Sequence, residues 1–189
     1  AFPPDPKPTI FMIARSLARP DRALVERGVA CISVPDIRWL RCDIKSIGLL
    51  PNVLAKQQAK EAGAYEALFV RDGILTEGTS SNVFAVKDGK LITHPGDGHI
   101  LPGITRRLIL AIASKEGIDV VQEALRVKEL DSVDELLISG TTTEVMGVVS
   151  VDGRAIGNGE PGPVTKRIQA QYDRLVERVR GGESIDDLI

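Results

Sequence analysis

"YEALFVRDGILTEGTSSNVFAVKDGKLITH", residues 65–94, alternates strand-forming runs with two Asp-Gly pairs, Asp72-Gly73 and Asp88-Gly89. Asp-Gly flanked by apolar and β-branched residues favours a two-residue turn in which both residues take positive φ. The stretch therefore predicts two β-hairpins in succession. Hairpins force antiparallel pairing, which a sheet built only of repeating strand–helix–strand units does not contain. The fold class expected is α/β, with a mixed sheet curled toward a pseudo-barrel, hairpins within it and helices flanking it.

The remaining segments fit that frame. Residues 1–12, with four prolines in "AFPPDPKP", are read as a linker and entry to the domain, and residues 13–189 as the domain itself. "TIFMIARS" (9–16) is read as a strand, and "RALVERGVACISVPD" as a short helical turn followed by a strand ending at Pro35. A helix is expected from Pro51 to Gly63, since proline suits a first turn and glycine a helix end. "ITRRLILAIASKEG" predicts a helix with Ile104, Leu108 and Ile112 on one face. A strand over 118–125, a short helix near 128–133, a strand over 134–140 and a strand turning at Asp152-Gly153 follow. A last helix is expected from Pro163 to about Arg180, with Val164, Ile168, Leu175 and Val179 inward.

The totals exclude several classes. With 189 residues, 43% hydrophobic and 26% charged, the chain has the composition of a globular domain. A net charge of −2 with cations and anions interspersed argues against nucleic-acid or membrane-surface partners. Cys31 and Cys42 are too few and too far apart for a redox pair or metal framework, and are read as reduced thiols of a cytoplasmic protein. His94 and His99 flank a Pro-Gly-Asp-Gly loop with no Cys or His companions, so no metal is expected. No nucleotide-phosphate motif of the G-x-G-x-x-G or G-x-x-x-x-G-K type is present.

Four places carry candidate chemistry. Lys45 lies in "DIKSIGLLP", an apolar approach to a helix; low-dielectric surroundings favour the neutral, nucleophilic amine. Snorkelling to water, or pairing with Asp43, is the plain alternative. Glu77 ends a strand in "LTEGTSSNVF", where a buried carboxylate can hold a proton on a heterocyclic nitrogen and a solvated turn glutamate is the plain alternative. "LPGITR" (101–106) places Ile104 and Thr105 at a helix start, where unpaired N–H groups attract anions or simply begin a helix. "ISGTTTE" (138–144) presents Thr141 among hydroxyls at a strand end, as a phosphate site or an ordinary turn. An amine, a carboxylate and two anion-attracting turns together suit pyridoxal 5′-phosphate (PLP).

In these motifs the sequence resembles the fold-type IV PLP-dependent aminotransferases: D-amino acid aminotransferases, branched-chain aminotransferases and aminodeoxychorismate lyases. The resemblance runs from Trp39 to Arg180 through "RCDIKS…LLPNVLAKQ", "TEGTSSNVF", "LPGITR", "DELLISGTTTEV", "VDG" and "GPVTKRI", in order. It implies that Lys45 forms the Schiff base and moves a proton between substrate and cofactor, and that Glu77 bonds the pyridine nitrogen. It also implies that Ile104, Thr105 and Thr141 hold the phosphate, that Leu101 packs on a ring face, and that Ser81 lines the pocket. The implied reaction is ping-pong transfer of an amino group between an amino acid and a 2-oxo acid, in a homodimer. The lysine stretch is most similar to D-amino acid enzymes, whereas the later motifs also suit branched-chain ones, and "LPNVLA" is shared with the lyases. The family's smaller N-terminal domain, which supplies an arginine to the phosphate and groups for the substrate carboxylate, has no counterpart in this chain. Arg15 and Arg19 are not assigned those tasks. A non-catalytic scaffold of the same fold is the alternative from another class.

Overall fold

The computed structural model describes residues 3–184. Its elements are α1 (Arg22–Arg27), β1 (Val29–Pro35), α2 (Leu50–Glu61), β2 (Glu66–Arg71), β3 (Ile74–Gly78), β4 (Asn82–Lys87) and β5 (Lys90–Thr93). Then come α3 (Ile104–Lys115), β6 (Val120–Gln122), β7 (Leu125–Arg126), a 3-10 turn (Val127–Ser132), β8 (Glu135–Gly140), β9 (Glu144–Val151), β10 (Arg154–Ala155) and α4 (Pro163–Arg180).

Both hairpins form as expected. Asp72 and Gly73 have φ of 52° and 76°, Asp88 and Gly89 52° and 75°, and Asp152-Gly153 makes a third such turn between β9 and β10. The paired positive angles match the twist of the strands they join. The sheet is mixed. β1 runs parallel to β2 and β9, and β5 to β6, while the other pairings are antiparallel.

The strand order is β6-β5-β4-β8-β9-β1-β2-β3-β7, and β3 also pairs with β4. That last pairing closes β4, β8, β9, β1, β2 and β3 into a ring, the curled sheet the hairpins implied. The closing register is Glu77 opposite Asn82.

Alternation along the ring strands separates two kinds of packing. Val29, Leu68, Leu75, Val83, Ala85, Leu136, Ile138, Met146 and Val148 fill the ring. Their neighbours in sequence face outward, Phe84, Leu137 and Val145 under α3 and α4 with Ile109, Ile112 and Ile168, and Ala67 and Phe69 under α2 with Ala55 and Ala59. Each fully buried Leu, Ile or Phe contributes about 1.5–3 kcal/mol by leaving water.

Several expectations need correction. "TIFMIARS" is not a strand: it has no regular structure, and Ile10, Phe11, Met12, Ile13 and Leu17 are exposed. Strand-forming residues make a strand only beside a ladder partner, and among the described residues this segment has none. The expected strand over 118–125 is two, because β6 joins β5 while β7 joins β3, at opposite ends of the strand order. Ile104 and Val179 are exposed rather than inward, and Leu175 is half-buried.

Arg19, just before α1, donates to both oxygens of Glu144 and to Asp173 of α4. Glu144 itself has a φ of 53°, which favours glycine, and the arginine holds it there. Helix α4 has no side-chain cap of its own. Instead the buried Glu135 of β8 accepts from the N–H groups of Val164 (2.9 Å) and Thr165 (2.7 Å), so a strand carboxylate satisfies the helix start and its dipole. Glu135→Ala should destabilise the chain by about 3 kcal/mol, because it leaves buried donors without acceptors. Glu135→Gln, which keeps one acceptor oxygen, should cost about 1 kcal/mol; urea unfolding midpoints measure both.

Candidate active site

Where the ring closes, a cavity of about 760 Å³ opens among the β3–β4 turn, the loop 36–49, the start of α3 and the end of β8. All seven residues singled out from the sequence line it: Lys45, Glu77, Ser81, Leu101, Ile104, Thr105 and Thr141. A second cavity, of about 700 Å³, lies beside the Arg19–Glu144 pair and contains none of them.

Glu77 is buried at the end of β3. Its Oε1 accepts from Arg38 Nη1, and its Oε2 from Leu101 N (2.9 Å) and Asn82 Nδ2 (3.2 Å). Burial pushes the Glu77 carboxyl above its ordinary range, against the opposing pull of Arg38 and the Leu101 N–H. Asn82 also donates to Leu101 O (2.8 Å), so one amide ties β4 to the "LPGITR" loop. A carboxylate offers about four lone-pair positions, and one of Glu77's remains for a further donor.

Lys45 lies at the cavity but is exposed, as are Ile44, Ile47, Leu49 and Leu50 around it. The low-dielectric surroundings expected from its apolar neighbours are therefore not found in this chain. Ile44 and Leu49 line the cavity, yet they and Ile47 and Leu50 stay exposed and leave the amine open to water. Asp43, the alternative partner, is taken by Arg41.

The turn that follows Glu77 is held from below. Glu66, wholly buried on β2, accepts from Thr79 Oγ1 (2.6 Å) and Ser81 Oγ (3.3 Å), while Asn52 of α2 donates to Thr79 O (2.8 Å). Helix α3 starts at the cavity with no side-chain cap, so its first N–H groups lack intrahelical acceptors. Thr105 is buried and Thr141 exposed. Ser139 Oγ, wholly buried on the cavity wall, has no hydrogen-bond partner among the described residues.

Arg38, Asn52 and Asn82 also line the cavity and are not among the residues singled out in the sequence. For Arg38 the sequence offers only D-x-R before the lysine loop, which does not disclose that the arginine meets Glu77, 39 residues further on. The expected absence of a metal cluster needs a qualification. His94, Asp97 and His99 bring ligand atoms within 4.8 Å of one another. The group satisfies itself: Asp97 accepts from His99 N (2.8 Å) and faces both imidazoles, and His94 Nδ1 meets Pro95 O (2.9 Å).

The concave, largely apolar lining with a few convergent polar groups is of the kind that suits a small molecule. The chain belongs to the class IV amino-transferases, whose family model matches residues 1–151. A D-alanine aminotransferase from Staphylococcus haemolyticus is 46% identical over 178 residues, 94% of this chain and 63% of that protein. One from Bacillus licheniformis is 49% identical over 151 residues, 80% of this chain and 53% of that protein. Among solved structures, the Escherichia coli branched-chain amino acid aminotransferase is 36% identical, with a TM-score of 0.72 over 80% of this chain and 53% of its own. The branched-chain enzyme from Thermobaculum terrenum, solved in its PLP-bound holo-form, is 29% identical, with a TM-score of 0.75 over 84% of this chain and 54% of its own. The chain thus spans less than two thirds of the length of each, and the mixed, ring-closing fold agrees with theirs.

Glycine at 103 is a packing requirement of this corner. A Cβ there would sit 2.3 Å from Asn82 Oδ1. Gly103→Ala should push the Asn82 amide away from Glu77 and Leu101 and destabilise the chain by about 1–3 kcal/mol, read from unfolding midpoints.

Proposed function

We propose that this chain is the cofactor-binding large domain of a PLP-dependent aminotransferase that moves an amino group between an amino acid, D-alanine favoured, and a 2-oxo acid. The observation that carries the reading is the gathering of Lys45, Glu77, the start of α3 and Thr141 around one cavity of about 760 Å³. The residues present fit the cofactor. Glu77 keeps an open acceptor position, Ser139 Oγ is a buried hydroxyl without a partner, and the uncapped α3 start offers N–H groups to a phosphate.

PLP, when bound, supplies an aldehyde that joins amines and a ring that accepts the electrons of a broken Cα–H bond. Lys45 would be the amine that holds that aldehyde, and its Nζ would be the base that takes the proton from substrate Cα. Glu77 would hold a proton on the ring nitrogen. Ile104 N, Thr105 and Thr141 would bind the phosphate and Leu101 would pack beside the ring, while Ser81, held by Glu66, keeps the turn behind Glu77 in place. The exposed Trp39 and Leu49 of the cavity lining, with the exposed Leu40, Ile47 and Leu50 close to them in sequence, suit burial against a second copy, as in a homodimer. Two buried free thiols suit a reducing, cytoplasmic setting.

The names of the relatives support D-alanine as donor, whereas the solved structures similar in fold are branched-chain enzymes, which keeps an L-leucine-type substrate as the second reading. Loading the protein with PLP should give a visible absorption band that borohydride abolishes, and Lys45→Ala should lack it; no band in the parent protein refutes the reading. Glu77→Gln should retain the cofactor yet slow amino transfer at least about a hundredfold. Loss of the band on adding D-alanine but not L-leucine identifies the donor, and the reverse result selects the branched-chain reading.

A further inference from the structure

Asp36, Arg38 and Arg71 form, with Glu77, a buried ionic group that the roles above do not use. The side chains of Asp36, Arg38 and Glu77 are 0%, 6% and 7% exposed, and that of Arg71 14%. Two cations balance two carboxylates. Arg38 donates from Nε to Asp36 Oδ1 (2.9 Å) and from Nη2 to Asp36 Oδ2 (2.8 Å), while Nη1 reaches Glu77 Oε1. Nη2 also meets Thr76 Oγ1 and His99 O, each at 3.3 Å, and the guanidinium lies 4.3 Å above the Phe69 ring. Arg71 donates to Arg38 O (3.0 Å) and Trp39 O (3.3 Å), and pairs with Asp36 (3.1 Å).

These contacts join the two ends of the site. Arg38 stands on the loop that goes on to Lys45, and Glu77 on β3. Beyond Arg38 the loop is pinned by Arg71 at Trp39 O and then by Cys42 N donating to Gly98 O (2.8 Å), before it reaches Lys45. We propose that Arg38 is a positioning residue of this site: by clasping Asp36 and Glu77 at once, it aims the Glu77 carboxylate and fixes the Lys45 loop against β3. The inference rests on the PLP reading for its catalytic meaning, but the clasp itself does not need the cofactor.

Only arginine fits. Two carboxylates on different sides of a planar group call for several donors in a fixed fork, and stacking on Phe69 favours a flat cation. A lysine at 38 would keep the charge but serve one carboxylate at a time. An uncharged side chain would leave two buried carboxylates short of a partner, which is strongly destabilising.

The charged and titratable groups facing Glu77 are Arg38 and Asp36, with Arg71 behind Asp36 and Cys42 and Lys45 on the same loop and cavity. Burial raises Glu77, so the folded state loses stability as pH climbs through the carboxylate range, and Arg38 limits that loss. For Asp36, burial acts upward, but Arg38 and Arg71 bring the carboxyl below its ordinary range, a stabilising effect present above the unfolded value. Removing the guanidinium acts in one direction on both. The deficit of an Arg38→Met protein should therefore be small at about pH 4 and grow toward about pH 8.

The test compares the parent chain with Arg38→Lys and Arg38→Met, cofactor-free and loaded with PLP. In the cofactor-free proteins, Arg38→Met should show this pH-dependent deficit in melting temperature, and Arg38→Lys should restore most of it. Backbone hydrogen exchange of residues 39–48 should quicken in both variants, while β8 and α4 exchange as in the parent. In PLP titrations followed by absorbance, both variants should bind at least about tenfold more weakly, the loss typical when a group supporting a ligating residue is removed. A pH-independent deficit, unchanged exchange over 39–48, or parental PLP affinity in Arg38→Met overturns the proposal. If the parent chain itself fails to bind PLP, the functional reading falls, and the pH and exchange results still decide whether Arg38 is the clasp.

Discussion

A single strand contact, Glu77 opposite Asn82, turns the open sheet into a ring. Because the contact comes at the very end of β3 and the very start of β4, it also leaves the turn 78–81 projecting at the rim. Glu77 is thus a ring-closing residue and a buried carboxylate of the cavity wall at the same position. The backbone pairing fixes where the carboxyl starts, and Arg38, Asn82 and Leu101 fix where it points. A site made in this way depends on long-range sheet closure, not on any local loop alone.

Buried carboxylates do similar work elsewhere in the fold. Glu66 holds the β3–β4 turn by its hydroxyls, Glu135 receives the N-terminus of α4, and Asp36 secures the entry to the Lys45 loop. Each sits on or just after a strand and accepts from groups of a neighbouring element. A buried charge of this kind is tolerated only when its lone pairs are met, so each one specifies a unique docking of the element it receives. The polar interior is therefore organised around joints, and the apolar interior around the ring and its covering helices.

How much of this the sequence discloses depends on range. The Asp-Gly turns, the first-turn prolines of α2 and α4 and the apolar spacing of α3 act within a few residues, and they are legible. Lys45, Glu77, Leu101, Ile104, Thr105, Thr141 and Ser81 can be found because each stands in a short motif, and the motifs occur in order. Arg38 cannot, since its partners come from β3 and from the same loop, and nothing in D-x-R says they will meet. The run 118–125 reads as one strand because alternation cannot show that Glu123 and Ala124 carry the chain from a place beside β5 to a place beside β3. The segment 9–16 has the composition of a strand, but a ladder is a relation between segments, and composition is silent on it. Lys45 shows the converse: apolar neighbours in sequence do not make apolar surroundings in space.

The parallel pairing of β1 with β9 has a consequence for how the molecule comes into being. It joins Val29 to Val148 and Cys31 to Val151, the first and last strands of the ring to be synthesised. Loops of that length close slowly, and the hairpins at Asp72-Gly73 and Asp88-Gly89 can form long before. A growing polypeptide on the ribosome therefore carries its turns and its first helices early, and acquires a chamber for a small molecule only after residue 151 has emerged.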